Sequence, residues 1–304
     1  MARKVSKKFK ITVSVIAVII FLTLFNYFMR VRLILAAGEN DYKTVKTILN
    51  IYPLAINQRF DNRLFEIMGE GFRHNNTPLM EACEKNNTEI IKLLVERGAD
   101  INKHSRAPIS YPLIAVLQNR NYEMAWYLIE HGADVLVSEG GHHGESVADA
   151  IVEWSNVPLD KQEKEQQYEL MKYVIEKGAS LEPPHEDYGK AYLLYEALMV
   201  DNSLIVEYLI QNGYFDVDII IDRTHKNYNR TSLIFALKLE VYDRNRDNED
   251  PNAEKTDGSR DTYGMCETLL KLGADKTLKD IDGKTALDYA IELGDEKLIA
   301  LLSD

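Results

Sequence analysis

Only two cysteines occur in 304 residues, which excludes a small secreted scaffold stapled by disulfides. Eight prolines and 16 glycines are too few for a collagen-like or linker-dominated chain. With 45% hydrophobic and 28% charged residues, the composition suits one large or two small globular domains and argues against disorder. Acidic residues are missing from the first 30 positions, which carry six basic ones: Arg3, Lys4, Lys7, Lys8, Lys10 and Arg30. The whole chain has 36 basic and 48 acidic residues, so 30 basic residues face 48 acidic ones beyond position 30, a charge of −18. A body that acidic repels phosphate backbones, and nucleic acid is not expected as a partner. Catalytic signatures are also missing. There is no phosphate loop, no HExxH, no GxSxG and no Cys/His pair on one expected face, so neither catalysis nor a cofactor is expected.

Residues 11–29 form the one long apolar run, 19 positions without a charge. As a helix it would extend about 28 Å, close to the hydrocarbon thickness of a bilayer. A cleaved signal peptide is the competing reading, but its apolar core is shorter, about 7–15 residues. Arg30 and Arg32 also separate the run from Ala36-Ala37, and no A-x-A pattern follows. The expected organisation is a basic tail over 1–10, a transmembrane anchor over 11–30 and a folded domain over 31–304. Positive charge is denser before the run than after it, which places the N-terminus in the cytoplasm and the body outside.

The rest of the chain repeats itself. Residues 77–102 and 111–135 align with a 34-residue offset, matching Leu79 with Leu113, Leu94 with Leu128, and Gly98-Ala99-Asp100 with Gly132-Ala133-Asp134. The frame returns at Ser146, Tyr192, Thr231 and Thr285, and a degenerate first unit ends at Ile56-Asn57. In each unit a Thr or Ser opens a first helix by capping its free N–H groups. A small residue (Ala82, Ala197, Ala236 or Ala290) then lets the neighbouring helix approach. A second helix follows with apolar residues at helical spacing, ended by a glycine where the chain needs a left-handed turn. Neither helix can bury its apolar face alone, so the units must stack.

This combination resembles the ankyrin repeat, through Thr77-Pro78-Leu79-Met80 with Ala82, Gly98-Ala99-Asp100-Ile101-Asn102, and Asp282-Gly283-Lys284-Thr285-Ala286-Leu287. Met80, Ile114 and Tyr195 stand where the family pattern has histidine. The resemblance covers roughly residues 32–304. It implies an all-α solenoid of about seven helix-turn-helix units behind the transmembrane helix, used for binding a protein partner. The first helix of the first unit aligns to about residues 32–38, with no Gly/Pro linker after the apolar run. One helix is therefore expected from about residue 11 to 37. Cys83 and Cys266 fall at packing positions and read as buried core residues.

Insertions interrupt the rhythm near 58–74, 153–167 and 243–263. The first holds Phe60, Leu64, Phe65, Ile67, Met68 and Phe72, either a finger that contacts a partner or membrane or a segment that folds back to cap the stack. His142 and His143 sit between Glu139 and Glu145 on a turn; a zinc site is conceivable, and a solvated turn is the simpler reading. Asp243, Asn245, Asp247 and Glu254 have the spacing of a calcium loop, although Asn248 replaces its glycine and a polar loop explains them equally. Contact positions implied by the resemblance are Glu81, Tyr195, Glu196, Phe235 and Tyr289 on first helices, with His142, His143, Tyr228 and Arg230 on turns, beside Phe65, Met68 and Phe72 in the insertion. The acidic body suits a partner with a basic surface. Two other functions remain open: a metal- or calcium-responsive sensor, and a toxin-neutralising immunity protein, a role some bacterial members of the family play.

Overall fold

A computed structural model of the chain describes residues 7–59, 76–105, 110–138, 146–152, 159–182, 189–221, 229–249 and 260–303. Among these residues there are helices, turns and one isolated bridge between Ser138 and Ser146, without named strands. The chain divides into two compact units, Met1–Asp134 and Val135–Asp304.

The first unit holds α1 (Lys7–Gly38) and α2 (Tyr42–Ile51), a short 3-10 turn (Pro53–Ala55), α3 (Pro78–Glu84) and α4 (Thr88–Glu96), and α5 (Pro112–Gln118) and α6 (Tyr122–Glu130). Helix α1 is unbroken for 32 residues, about 48 Å. Its final turns carry Leu33, Ile34, Ala36 and Ala37, all buried, and they pack on α3 and α2. The apolar run and the first helix of the first repeat are thus one rod. Helix α3 in turn packs on α5, and α2 on α4, so first helices form one layer and second helices another.

The second unit holds α7 (Val147–Ile151) and α8 (Lys161–Glu176), α9 (Tyr192–Met199) and α10 (Ser203–Gln211), α11 (Ser232–Glu249) and α12 (Thr262–Lys271), and α13 (Ala286–Leu293) and α14 (Glu296–Ser303). First helices α7, α9, α11 and α13 pack in succession, and second helices α8, α10, α12 and α14 do the same. With three pairs in the first unit, the described residues contain seven helix pairs.

Local chemistry explains where each helix begins. The Thr77 hydroxyl accepts from the Met80 amide at 3.1 Å, and Ser146 and Thr285 form reciprocal capping boxes with Asp149 and Asp288. The second helices use Asn or Asp instead: Asp41, Asn121, Asn202, Asp261 and Asp295 each accept from an amide in the first turn. The residue before that cap is left-handed in five pairs, with φ near 55–65° at Asn40, Asn86, Arg120, Asp201 and Gly294. The expected glycines end the second helices, at φ 73–96° for Gly98, Gly132, Gly178, Gly213 and Gly273.

The insertion near 243–263 does not begin as a loop. Helix α11 runs on through Glu249, because Arg244 pairs with Glu240 at 2.7 Å one turn back and donates to the Leu293 carbonyl at 3.0 Å. Asp243 is held by Arg260 at 3.1 Å. Residues 243–249 are thus helical, where the calcium spacing called for a loop. Cys83 and Cys266 are both buried and free, and burial pushes their thiols up, that of Cys266 to about 12.

Candidate partner-binding surface

In the second unit, three consecutive first helices bring separate sequence positions into one stripe. The Tyr195 ring on α9 lies against the Phe235 ring on α11, with centroids 5.0 Å apart. The Arg230 guanidinium, just before α11, sits 6.0 Å from the Phe235 centroid, a cation–π distance. Lys238 lies one turn beyond Phe235, so it projects from the same side of α11 toward α13. There its ammonium group is 4.9 Å from the Tyr289 ring centroid and donates to the Tyr289 hydroxyl at 2.9 Å.

The far end of the stripe is a closed polar cluster. The Tyr289 hydroxyl donates to Asp280 Oδ2 at 2.6 Å, and Lys238 Nζ donates to the same oxygen at 3.2 Å. Lys284 also lies over the Tyr289 ring, 5.0 Å from its centroid, and pairs with Glu292 at 2.7 Å. Burial alone would raise the Asp280 carboxyl, but hydrogen bonds from Tyr289, the Lys284 amide and Lys238 outweigh it and hold the group below the usual carboxylate range. Burial and the bond to Asp280 push the Tyr289 phenol well up. Asp280 thus shapes the turn before α13 and orients two residues of the stripe.

Accessibility separates the expected contact residues. Tyr195 and Arg230 are part-exposed, while Glu196, Phe235 and Tyr289 are only 6%, 4% and 4% exposed. These three support the surface from beneath. Lys238, Asp280 and Lys284 were not singled out in the sequence, although the i, i+3 spacing of Phe235 and Lys238 carried a signal. Phe65, Met68, Phe72, His142, His143 and Tyr228 lie outside the described residues, as does Glu254 of the calcium spacing. Among the described residues no cluster of three or more His, Cys, Asp or Glu side chains is arranged to hold a metal ion.

In the first unit, Glu81 is part-exposed on α3. Its Oε2 accepts from the Asn76 amide at 2.9 Å, and the same amide reaches Glu84 Oε2 at 3.0 Å. Asn76 is fully buried, so two carboxylates are gathered round one fixed donor. The end of α1 abuts them: a Cβ on Gly38 would lie 3.0 Å from Glu81 Cγ.

Residues 33–139 match the family model for ankyrin repeats, in three copies, and the match begins inside α1. No curated protein sequence matches the chain. Among solved structures, the human ASB11 ankyrin repeat domain is similar at 20% identity and a TM-score of 0.52, over 89% of this chain and 96% of that one. That likeness speaks for the fold. A structure of the Bd0816 predatory endopeptidase from Bdellovibrio bacteriovorus in complex with immunity protein Bd3460 is also similar, at 18% identity, a TM-score of 0.40, and coverage of 90% and 96%.

Proposed function

We propose that this chain of ankyrin repeats is a membrane-tethered scaffold that binds a protein partner and does no chemistry on it. The observation that carries the binding role is the stacking of two part-exposed side chains, Tyr195 and Arg230, on the buried Phe235 ring. Tyr and Arg are the side chains that anchor interfaces most often, because each offers a large apolar area with a polar tip. Glu81 and Glu84 add a local acidic feature in the first unit, in keeping with the −18 charge beyond residue 30. Both favour a partner with a basic surface, whose approach such a field would accelerate.

Tethering rests on α1. From Val13 to Leu24 its large apolar side chains all point into open space, as with Phe21 at 66% exposure. A helix apolar on every face is stable where lipid surrounds it and not in water. The excess of Lys and Arg before the run supports a cytoplasmic N-terminus with the repeats on the other side. Reporters fused to Asp304, one active only outside the cytoplasm and one only inside, test this orientation directly. For the binding surface, Tyr195→Ala with Arg230→Ala in the full-length chain should abolish copurification of whatever protein the wild type retains, with the helical circular dichroism spectrum kept. Undiminished recovery of that protein would sink the assignment.

A further inference from the structure

The helix pair α1/α2 folds back on itself through Asn40, and α2 therefore runs toward the start of α1. Its far end comes level with the apolar run: the Tyr52 ring meets the Phe25 ring edge-on, with centroids 5.9 Å apart. Phe25 lies four residues before the end of the run at Met29, about 6 Å along the helix. Any position of α1 that puts residues 11–29 in hydrocarbon thus carries Tyr52 to the lipid headgroups or just below them.

The corner at Tyr52 is dressed for that depth. Residues 47–58 contain no charge. On the inner side, Ile48, Leu49 and Ala55 are buried in the repeat. On the outer side, Ile51 and Leu54 are 61% and 71% exposed, a high exposure for two large apolar side chains. Arg97, at the same end of α4, is exposed and donates to Asn50 Oδ1 at 3.0 Å, which fixes a cation to the residue before Ile51. An aromatic ring with a polar tip, aliphatic residues on the membrane side and a cation at the rim are the usual arrangement at a membrane–water interface.

We infer that residues 51–54, at the Tyr52 corner of the first helix pair, dip into the interfacial layer of the bilayer that α1 spans, giving the repeats a second membrane contact. The inference rests on reading α1 as the membrane span. The occupant of the Ile51/Leu54 surface is lipid, because the Phe25–Tyr52 contact ties that surface to the depth of the span itself. Two points of attachment, one through α1 and one through the corner, fix the tilt of the first unit as well as its distance from the membrane.

The test uses the full chain reconstituted in phosphatidylcholine/phosphatidylglycerol nanodiscs. Leu54→Cys, Ile51→Cys, Leu22→Cys and Lys85→Cys each carry an NBD fluorophore, and the wild type, whose cysteines are both buried, gives the labelling background. All four positions are exposed, so folding is not at stake. A phospholipid with a doxyl group near the glycerol should quench the labels at 54 and 51 several-fold, one with the doxyl group near the chain end should quench the label at 22, and both should leave the label at 85 untouched. Quenching at 22 without quenching at 51 or 54 overturns the inference while the span stands. Absence of quenching at all four positions refutes the span, and the inference falls with it.

Discussion

The side-chain amide of Asn87 donates to the carbonyl oxygens of Ala37, at 2.7 Å, and Gly38, at 3.1 Å. These carbonyls end α1 and would otherwise lack partners, as the last carbonyls of any helix do. The cap of one repeat's second helix therefore closes the first helix of the repeat before it. Asn87→Ala would leave buried acceptors unsatisfied, and it should lower stability by about 1–3 kcal/mol. Denaturant titration of the full chain in detergent measures this; an unchanged midpoint would show that water replaces the amide without loss.

Continuity of α1 predicts slow exchange at the join. Backbone amides over residues 30–36 lie in unbroken helix, with Leu33, Ala36 and Ala37 at zero exposure. Hydrogen exchange in a detergent-solubilised sample should show them protected to the level of α3 and α4. Rapid exchange there would reveal a hinge and separate the apolar run from the repeat.

Gly132 tests the repeat turn by itself. Its φ is +96°, and a Cβ added there meets nothing within 4 Å. Gly132→Ala should therefore cost about 1 kcal/mol through backbone strain alone. Calorimetry should find the melting temperature lowered and the shape of the transition unchanged. A neutral result would mean that the turn relaxes to negative φ.

The Tyr289–Asp280 pair predicts a pH profile. Tyr289 titrates above its ordinary value near 10, so its contribution is whole below about pH 10 and is lost as pH rises toward the folded-state value. Tyr208, pushed up to about 12 mainly by burial, acts in the same direction. Asp280 titrates below its ordinary value, so its contribution is present above about pH 4 and is lost as pH falls through the depressed one. Tyr289→Phe removes bonds to Asp280 and Lys238 and should cost about 1.5–3 kcal/mol at neutral pH. Its stability should also decline less steeply above pH 10 than that of the wild type. Identical alkaline slopes in melting experiments would show that Tyr289 is not coupled to folding.

What could be read in advance was what is local. A threonine before an apolar helix announces a cap, as at Thr285, and a glycine after an apolar helix announces a left-handed turn, as at Gly98. The turn inside each pair gave no such signal. Asn40, Asn86, Arg120, Asp201 and Gly294 adopt one conformation with four different residue types, of which glycine announces it most plainly. The contact of Lys238 with Tyr289 joins residues 51 apart and exists only once two repeats have stacked. The burial of Phe235 and Tyr289 was hidden for the same reason: helical spacing chooses a face, and the neighbouring repeat decides whether that face is covered. Helix α11 outran its expected end because Arg244 finds partners on the next repeat, at Leu293 and Asp295.

Because α1 passes from apolar run to repeat without a joint, its residue count works as a vernier. One residue added between Met29 and Leu33 would turn the first unit by about 100° round the helix axis and lift it by about 1.5 Å. The same insertion in a flexible tether would change almost nothing. Length in this short stretch is therefore under a constraint that its side chains are not: substitutions there alter packing against the neighbouring helix, whereas a single insertion or deletion redirects every surface the first unit presents relative to the apolar run.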